Sequence, residues 1–224
     1  YCKDQQRGRF RSRCLSLVSD VTLTEPLTIN AYSGSSATNT LTIKPAATKT
    51  IAITANNANG YTGIPAVIKC NGASNIIIDG SNTANGSTRN LTLNNANSVV
   101  YVNQSVVWIA SNNTVGSSNI TVKNTILKNN AKNQAGNWCL GVYSGSNTVG
   151  GNSSLGMAAA TGANSNTTLS NNLFVNVKEG IYINGSASSG LKSGNITINA
   201  NTIGSTVDAE KPFLGMNLIN VNGF

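Results

Sequence analysis

The chain has 224 residues, of which 10% are charged and 5% aromatic, and its net charge is +8 with no histidine. Asn, Ser, Thr and Gly fill most of the non-apolar positions, and because these residues are poor in helix interiors, the composition excludes a mainly helical protein. Regular triplets of Ile, Val and Leu within a hydrophobic content of 39%, together with the low density of charge, argue against a disordered chain.

Residues 1–14 show no strand alternation and differ from the rest of the chain. They hold five basic residues, which are Lys3, Arg7, Arg9, Arg11 and Arg13. We interpret this segment as a basic N-terminal arm that docks on an acidic surface, or else as a cap or a foreign or loosely ordered terminus. Cys2 and Cys14 either close a disulfide loop around the cluster or stay free. Because no basic stripe interleaves with aromatic residues, nucleic acid is not an expected partner.

From Leu15 onward, short alternating runs typical of β-strands are separated by turn residues. In chain order the predicted strands are 21–24, 26–29, 40–43, 51–54, 66–70, 91–93, 99–102 and 106–110. The stretch 145–164, rich in Gly, Ser, Asn and Ala, is predicted to be a loop. It is either a binding site or an insertion without a binding role. We find no apolar run long enough to cross a membrane and no signal peptide, so membrane insertion is not expected and an exported protein would be a mature or excised piece.

One unit recurs along the chain, with an Asn, three strand-forming residues and then a polar pair. Its copies begin at Asn75, Asn90, Asn119, Asn166 and Asn195. A glycine-bearing unit follows the later copies, at 140–143, 180–183 and 215–218. Two pairs of copies start 29 residues apart. A period in the twenties with three short strands predicts one all-β domain over residues 15–224, a right-handed parallel β-helix.

Three asparagines, Asn95, Asn124 and Asn171, follow the first strand at the same place in three copies. In a stacked coil, equivalent residues lie about 4.8 Å apart. We therefore predict a structural Asn ladder, in which each Asn takes a left-handed backbone conformation and bonds to the next copy. Ala200 occupies this place in the last copy, so the ladder is expected to end or shift there.

Catalytic chemistry is not favoured by the acidic residues. The seven acids are Asp4, Asp20, Glu25, Asp79, Glu179, Asp208 and Glu210, and no pattern brings them together. Polysaccharide hydrolases need paired carboxyl groups, and calcium-dependent lyases need several carboxylates and a base. We assign no catalytic residue, no metal and no cofactor. Cys70 and Cys139 lie in strand-like stretches, and we interpret them as buried small hydrophobes. Zinc is not expected, because the cysteine spacings do not suit it and the chain has no histidine.

Four aromatic residues are candidates for carbohydrate binding, namely Trp108, Trp138, Tyr143 and Tyr182. Sugar faces pack on flat rings, and Tyr143 and Tyr182 occupy equivalent places in successive glycine-bearing strands. The alternative interpretation places all four rings in the core or in a surface ladder.

The repeats resemble right-handed parallel β-helix domains of the pectate-lyase-like superfamily. Within that group, segments 27–43 and 73–80 look like parts of large secreted surface proteins of the Bacteroidota type. The resemblance covers residues 15–224 and leaves residues 1–14 out. It implies an extracellular or cell-surface location, often within a much longer chain. The superfamily contains lyases, hydrolases, phage tailspikes and adhesins, so the resemblance does not imply one function.

The function we expect is that of a non-catalytic structural or adhesive segment of an exported cell-surface or fibre-forming protein. The alternative is a carbohydrate-binding or polysaccharide-cleaving domain that uses the face with Tyr143 and Tyr182. The expected partners are a polysaccharide or cell-surface glycan, and further copies of the chain joined through the coil ends.

Overall fold

The structure is a computed structural model that describes residues 11–56, 66–97, 103–113, 115–130, 138–147 and 158–223. These residues contain nineteen β-strands in three parallel sheets. Successive strands join the first, second and third sheet in turn, so three strands make one coil. Six complete coils are followed by the first strand of another. The described chain is a parallel β-helix, which confirms the fold class predicted from the repeat.

Within each sheet the strands follow one another along the stack in chain order. The first sheet contains β1 (Arg13–Leu17), β4 (Leu41–Pro45), β7 (Ser74–Asp79), β10 (Ser118–Lys123), β13 (Ser165–Ser170), β16 (Ser193–Asn199) and β19 (Val221–Asn222). The second contains β2 (Val21–Leu23), β5 (Ile51–Ala55), β8 (Leu91–Asn95), β11 (Thr125–Asn129), β14 (Leu173–Val175) and β17 (Thr202–Ile203). The third contains β3 (Leu27–Asn30), β6 (Ile68–Asn71), β9 (Gln104–Ser111), β12 (Cys139–Ser146), β15 (Glu179–Asn184) and β18 (Leu214–Ile219). Two 3₁₀ helices, Ser189–Leu191 and Asp208–Glu210, lie in connections.

The core consists of columns of apolar side chains that run through the coils. One column of the first sheet contains Ile43, Ile78, Val122 and Leu169, which pair in register and are buried. A column of the second sheet contains Ile53, Leu93, Leu127 and Phe174 in the same way. Alternate residues of each strand point inward, and full burial of one such side chain stabilises the fold by roughly 1.5–3 kcal/mol. The short apolar alternation seen in the sequence is therefore sufficient to build this core.

Coil length varies because the connections between strands vary. Arg13 pairs with Leu41, 28 residues later, whereas Ser118 pairs with Ser165, 47 residues later. The predicted loop 145–164 is the longest connection of that longer coil, although residues 148–157 lie outside the described residues. The connection from the first sheet to the second is the single residue Asn124 between β10 and β11, but residues 80–90 between β7 and β8.

One copy of the repeat was assigned to the wrong strand by the sequence pattern. The copy that begins at Asn90 forms β8 of the second sheet, where Leu93 pairs with Leu127 and Asn95 with Asn129. It is not equivalent to the copies at Asn119 and Asn166, which contribute strands to the first sheet. Both sheets bury alternate residues, so the pattern of apolar residues does not distinguish them.

The N-terminal part of the fold begins slightly earlier than predicted. Strand β1 starts at Arg13, inside the segment 1–14 assigned to the arm. Cys14 is disulfide-bonded. Cys2, most of the arm and the strand predicted at 99–102 lie outside the described residues, so the Cys2–Cys14 pairing stays a prediction.

Candidate functional site

A ladder of polar side chains lines the corner between the first and second sheets. Asn124 Nδ2 donates to Asp79 Oδ1 at 2.8 Å, and Asn171 Nδ2 donates to Asn124 Oδ1 at 2.7 Å. Both asparagines have left-handed backbones, with φ of 57° and 51°. Ala200 takes the next place, with φ of 52° but no amide. We call Asp79, Asn124 and Asn171 the corner ladder.

Asn95 does not belong to the corner ladder, so this part of the prediction is wrong. It ends β8 in the second sheet, is fully buried, and its Nδ2 donates to the carbonyl oxygen of Ser105 at 2.8 Å. The reason is the misassigned copy, because Asn95 follows a strand of the second sheet rather than the first.

The outer face of the third sheet carries an aromatic row, defined as Trp108, Tyr143 and Tyr182. These residues pair in register on β9, β12 and β15. Their ring centroids lie 6.0 Å apart between Trp108 and Tyr143 and 6.2 Å apart between Tyr143 and Tyr182. Lys69 of β6 continues the row, and its Nζ lies 3.8 Å from the centroid of the Trp108 ring. Burial lowers the pKa of Lys69.

The aromatic row is covered rather than open to solvent. Trp108, Tyr143 and Tyr182 are 1%, 0% and 5% exposed. Segment 158–160 lies against part of the row, because the hydroxyl of Tyr143 donates to the Ala158 carbonyl and the Ala160 amide donates to the Asn184 carbonyl. A buried ring cannot stack on a sugar without displacement of this cover, and no feature of the sequence indicated where the cover would lie.

Trp138 is the one of the four aromatic candidates that is only partly buried. It packs edge-to-face against Tyr182, with a distance of 5.4 Å between the ring centroids. The structure therefore brings all four predicted aromatic residues into one cluster, at whose margin Trp138 retains some exposed surface.

Glu179 lies beside this cluster and was not singled out by the sequence pattern as a site residue. It opens β15, pairs in register with Leu140 and Leu214, and is 1% exposed. Neither of its carboxyl oxygens has a hydrogen-bond partner in the described chain. Burial raises the pKa of Glu179 to about 7, and its charge also raises the pKa of Tyr182, after the larger effect of burial. The sequence did contain an indication of this residue. Glu179 precedes Gly180 as Leu140 precedes Gly141, so an acidic residue replaces an apolar one at equivalent places in two glycine-bearing copies.

A polar groove of about 470 Å³ runs along the outer face of the first sheet. One wall is a row of asparagines, Asn75, Asn119, Asn166 and Asn195, and the floor is a row made of Ile77, Thr121, Thr168 and Thr197. These are the first and third residues of the repeated unit, so both point outward. The repeat predicts the fold, but the groove that its outward residues form on the surface was not predicted from it.

Cys70 and Cys139 are buried and neither forms a disulfide bond. Burial raises the pKa of the Cys70 thiol to about 12, so this residue packs as a small apolar side chain. The described residues contain no group of three His, Cys, Asp or Glu side chains placed to hold a metal ion.

The fold defines the class of this protein as an all-β parallel β-helix solenoid. Comparison with protein-family models, with curated proteins and with solved structures finds no match for the chain. Within the described ranges, no helix has both the length and the apolar character needed to span a membrane.

Proposed function

We propose that this chain is a non-catalytic structural or adhesive segment of an exported cell-surface or fibre-forming protein. Its relatives would be the right-handed β-helices of the pectate-lyase-like superfamily, among the secreted surface proteins of the Bacteroidota type. The observation that carries the proposal is the continuity of the hydrogen-bonded columns from coil to coil, of which the corner ladder is one. In such a stack each coil packs mainly on its neighbours, and the product is an elongated, regular support.

Assembly of copies through coil ends is part of this proposal. Beside β17 and β18, Phe213, Leu214 and Met216 are 67%, 53% and 48% exposed. Apolar side chains exposed in this way suit contact with a further coil, and we propose that a second copy of the chain can supply it.

The alternative function is a carbohydrate-binding or polysaccharide-cleaving domain that uses the outer face of the third sheet. Glu179 is the observation that favours it, because a carboxyl group with its pKa near 7 suits a general acid. Glycoside hydrolysis requires a second carboxyl group at a defined distance. Glu179 is instead paired in register with Leu140 and Leu214, and this is why we favour the non-catalytic function.

The test is to incubate the purified chain with insoluble neutral and acidic polysaccharides at low and high salt. Retained protein and released sugars would be measured, and the unbound sample would be viewed by electron microscopy. Retention without release, or fibres, is the expected result. Released fragments would overturn the non-catalytic assignment, and dispersed particles without retention would overturn the adhesive and structural one.

A matched pair of variants separates assembly from non-specific association. Met216→Lys places a charge among these exposed apolar side chains and should abolish fibres. Val115→Lys places the same charge on an apolar residue that is 54% exposed and lies in a turn between β9 and β10. Fibres that persist in Met216→Lys would exclude assembly through these side chains.

A further inference from the structure

We infer that the polar groove of the first sheet is a binding site for an extended, uncharged polysaccharide that lies parallel to the axis of the stack. This inference rests on the adhesive part of the proposed function, and it names the ligand class and the face that binds it. The site differs from the aromatic row, which belongs to the third sheet.

The groove presents one set of polar groups repeatedly along a line. Thr121 pairs in register with Thr168, and Thr168 with Thr197, so their hydroxyls follow one another at about 4.8 Å. Within the described residues, these three hydroxyls make no hydrogen bond. Ile77 occupies the preceding coil, so the floor extends for about 14 Å from Ile77 to Thr197. This length accommodates a few sugar residues of an extended chain.

The asparagine wall retains hydrogen-bonding capacity after its internal bonds are formed. Asn119 Nδ2 donates to Asn75 Oδ1 at 3.0 Å, and Asn195 Nδ2 donates to Asn166 Oδ1 at 2.9 Å. Each amide has two donor hydrogens and two acceptor lone pairs, so these bonds leave donors and acceptors available on both sides. The bonds also hold the side chains in place, which reduces the entropy lost when a ligand binds.

The composition of the groove selects the ligand class. The residues that line it carry no ionisable side chain. Acidic polysaccharides and nucleic acids are held by Lys and Arg, and protein partners are anchored mainly by Trp, Tyr and Arg. A sugar hydroxyl both donates and accepts, as do the groups of the groove. Lys123, on the neighbouring outward row, forms an ion pair with Asp79 at 3.3 Å and so contributes little net positive charge.

The groups of the groove are hydrated in the free protein, so each bond to a ligand adds little net affinity. A soluble oligosaccharide is therefore expected to bind weakly. An insoluble polymer that contacts several coils at once gains from multivalency. Binding is also expected to be insensitive to salt, since no charge takes part.

The experiment measures retention on microcrystalline cellulose, starch granules and chitin as neutral polymers, and on cross-linked polygalacturonate as an acidic one. The test variant is Thr121→Val/Thr168→Val/Thr197→Val, which keeps the shape and strand preference of each residue and removes its hydroxyl. The matched control is Thr54→Val/Thr92→Val on the half-buried outer face of the second sheet. Circular dichroism would establish that both variants are folded.

We expect the wild-type chain to be retained on at least one neutral polymer at low and high salt. The triple variant should lose about tenfold in affinity and the control less than twofold. Thr168→Arg, which fills the groove without relying on a lost hydroxyl, should also abolish retention.

The possible failures are distinguishable. Retention that survives both the triple variant and Thr168→Arg would overturn this inference alone. If that retention were lost in Trp138→Ala, the third sheet would be the binding face. Retention only on polygalacturonate, lost at high salt, would likewise overturn the inference. No retention of the wild-type chain on any polymer would overturn it together with the adhesive part of the proposed function.

Discussion

The corner between the first two sheets and the third sheet are both built by stacking one residue per coil, but their buried polar side chains have different hydrogen-bond partners. At the corner, Asn124 and Asn171 each donate to the residue in the preceding coil and accept from other donors. On the third sheet, buried Glu179 is paired in register with two leucines. An amide column can satisfy itself because every member donates and accepts, whereas a carboxylate can only accept.

The same reasoning explains the position of Asp79. It begins the corner ladder, where it needs only to accept, and it takes bonds from Asn124 and from the Ser81 amide. An ionised aspartate in the middle of the column could not donate a hydrogen bond to the residue in the preceding coil. The comparison shows that stacking stabilises a buried polar residue when its side chain can donate a hydrogen bond to the equivalent residue in one neighbouring coil and accept one from the other.

The largest effect is expected from Gly80→Ala, which breaks the corner. A Cβ at Gly80 would lie 1.7 Å from the Asn124 carbonyl oxygen, and the obstacle is backbone that cannot move aside. We expect a loss of at least about 4 kcal/mol in the free energy of unfolding, or no folded protein. The control is Gly215→Ala on β18 of the third sheet, where a Cβ meets nothing within 4 Å and stability should change by less than about 1 kcal/mol. Equal urea midpoints for the two variants would contradict the prediction.

The second prediction concerns the pH dependence caused by Glu179. Its pKa in the folded protein is about 7, above the ordinary value of 4.5, so the folded state binds this proton more tightly than the unfolded state. The stabilisation is complete below about pH 4.5 and is lost as the pH rises to about 7, with a total of roughly 3 kcal/mol. Urea unfolding between pH 4.5 and 8 would measure the slope.

Two substitutions test the origin of that slope. Glu179→Gln replaces the carboxyl by a neutral group of the same shape, so the slope assigned to this residue should disappear. Glu25→Gln, at an exposed position, should leave the slope unchanged. A slope that is the same in Glu179→Gln and the wild-type chain would show that Glu179 is not its cause.

The third prediction divides the role of Asn124 into two parts. Asn124→Ala removes both ladder bonds and places a Cβ residue without a polar side chain at φ of 57°, so we expect a loss of about 2 kcal/mol. Asn124→Gly accepts this backbone conformation and should recover about half of the loss. Thermal unfolding followed by circular dichroism would measure both. Equal stability of the Ala and Gly variants would mean that the backbone conformation contributes nothing.

The smallest effect is expected from Ala200→Asn, which extends the corner ladder by one coil. Asparagine tolerates the left-handed backbone better than alanine, and its Nδ2 could donate to Asn171, so a gain of about 1 kcal/mol is expected. The control is Ala187→Asn at an exposed position without a positive φ, which should be neutral. No gain relative to this control would indicate that the column cannot be continued past Asn171.

Much of the fold follows from local pattern. The alternation of Ile, Val and Leu with polar residues, repeated along the chain, specifies short strands that bury one face, and copies of the same unit pair most readily with one another. The bond from Asn171 to Asn124 follows from the same repetition. The assignment of Asn95 failed because two sheets share one alternation, and only pairing through space decides which strands are neighbours.

The sequence by itself determined the strand pattern, the stacked fold and the equivalence of Tyr143 with Tyr182, because these depend on residues close in the chain or on repetition. The tertiary structure alone decided the burial of the aromatic row, since burial depends on how the connection after β12 folds back so that segment 158–160 bonds to Tyr143 and Asn184. It also decided the isolation of Glu179 and the assembly of the polar groove, because burial and open surface depend on which coils and connections meet in space.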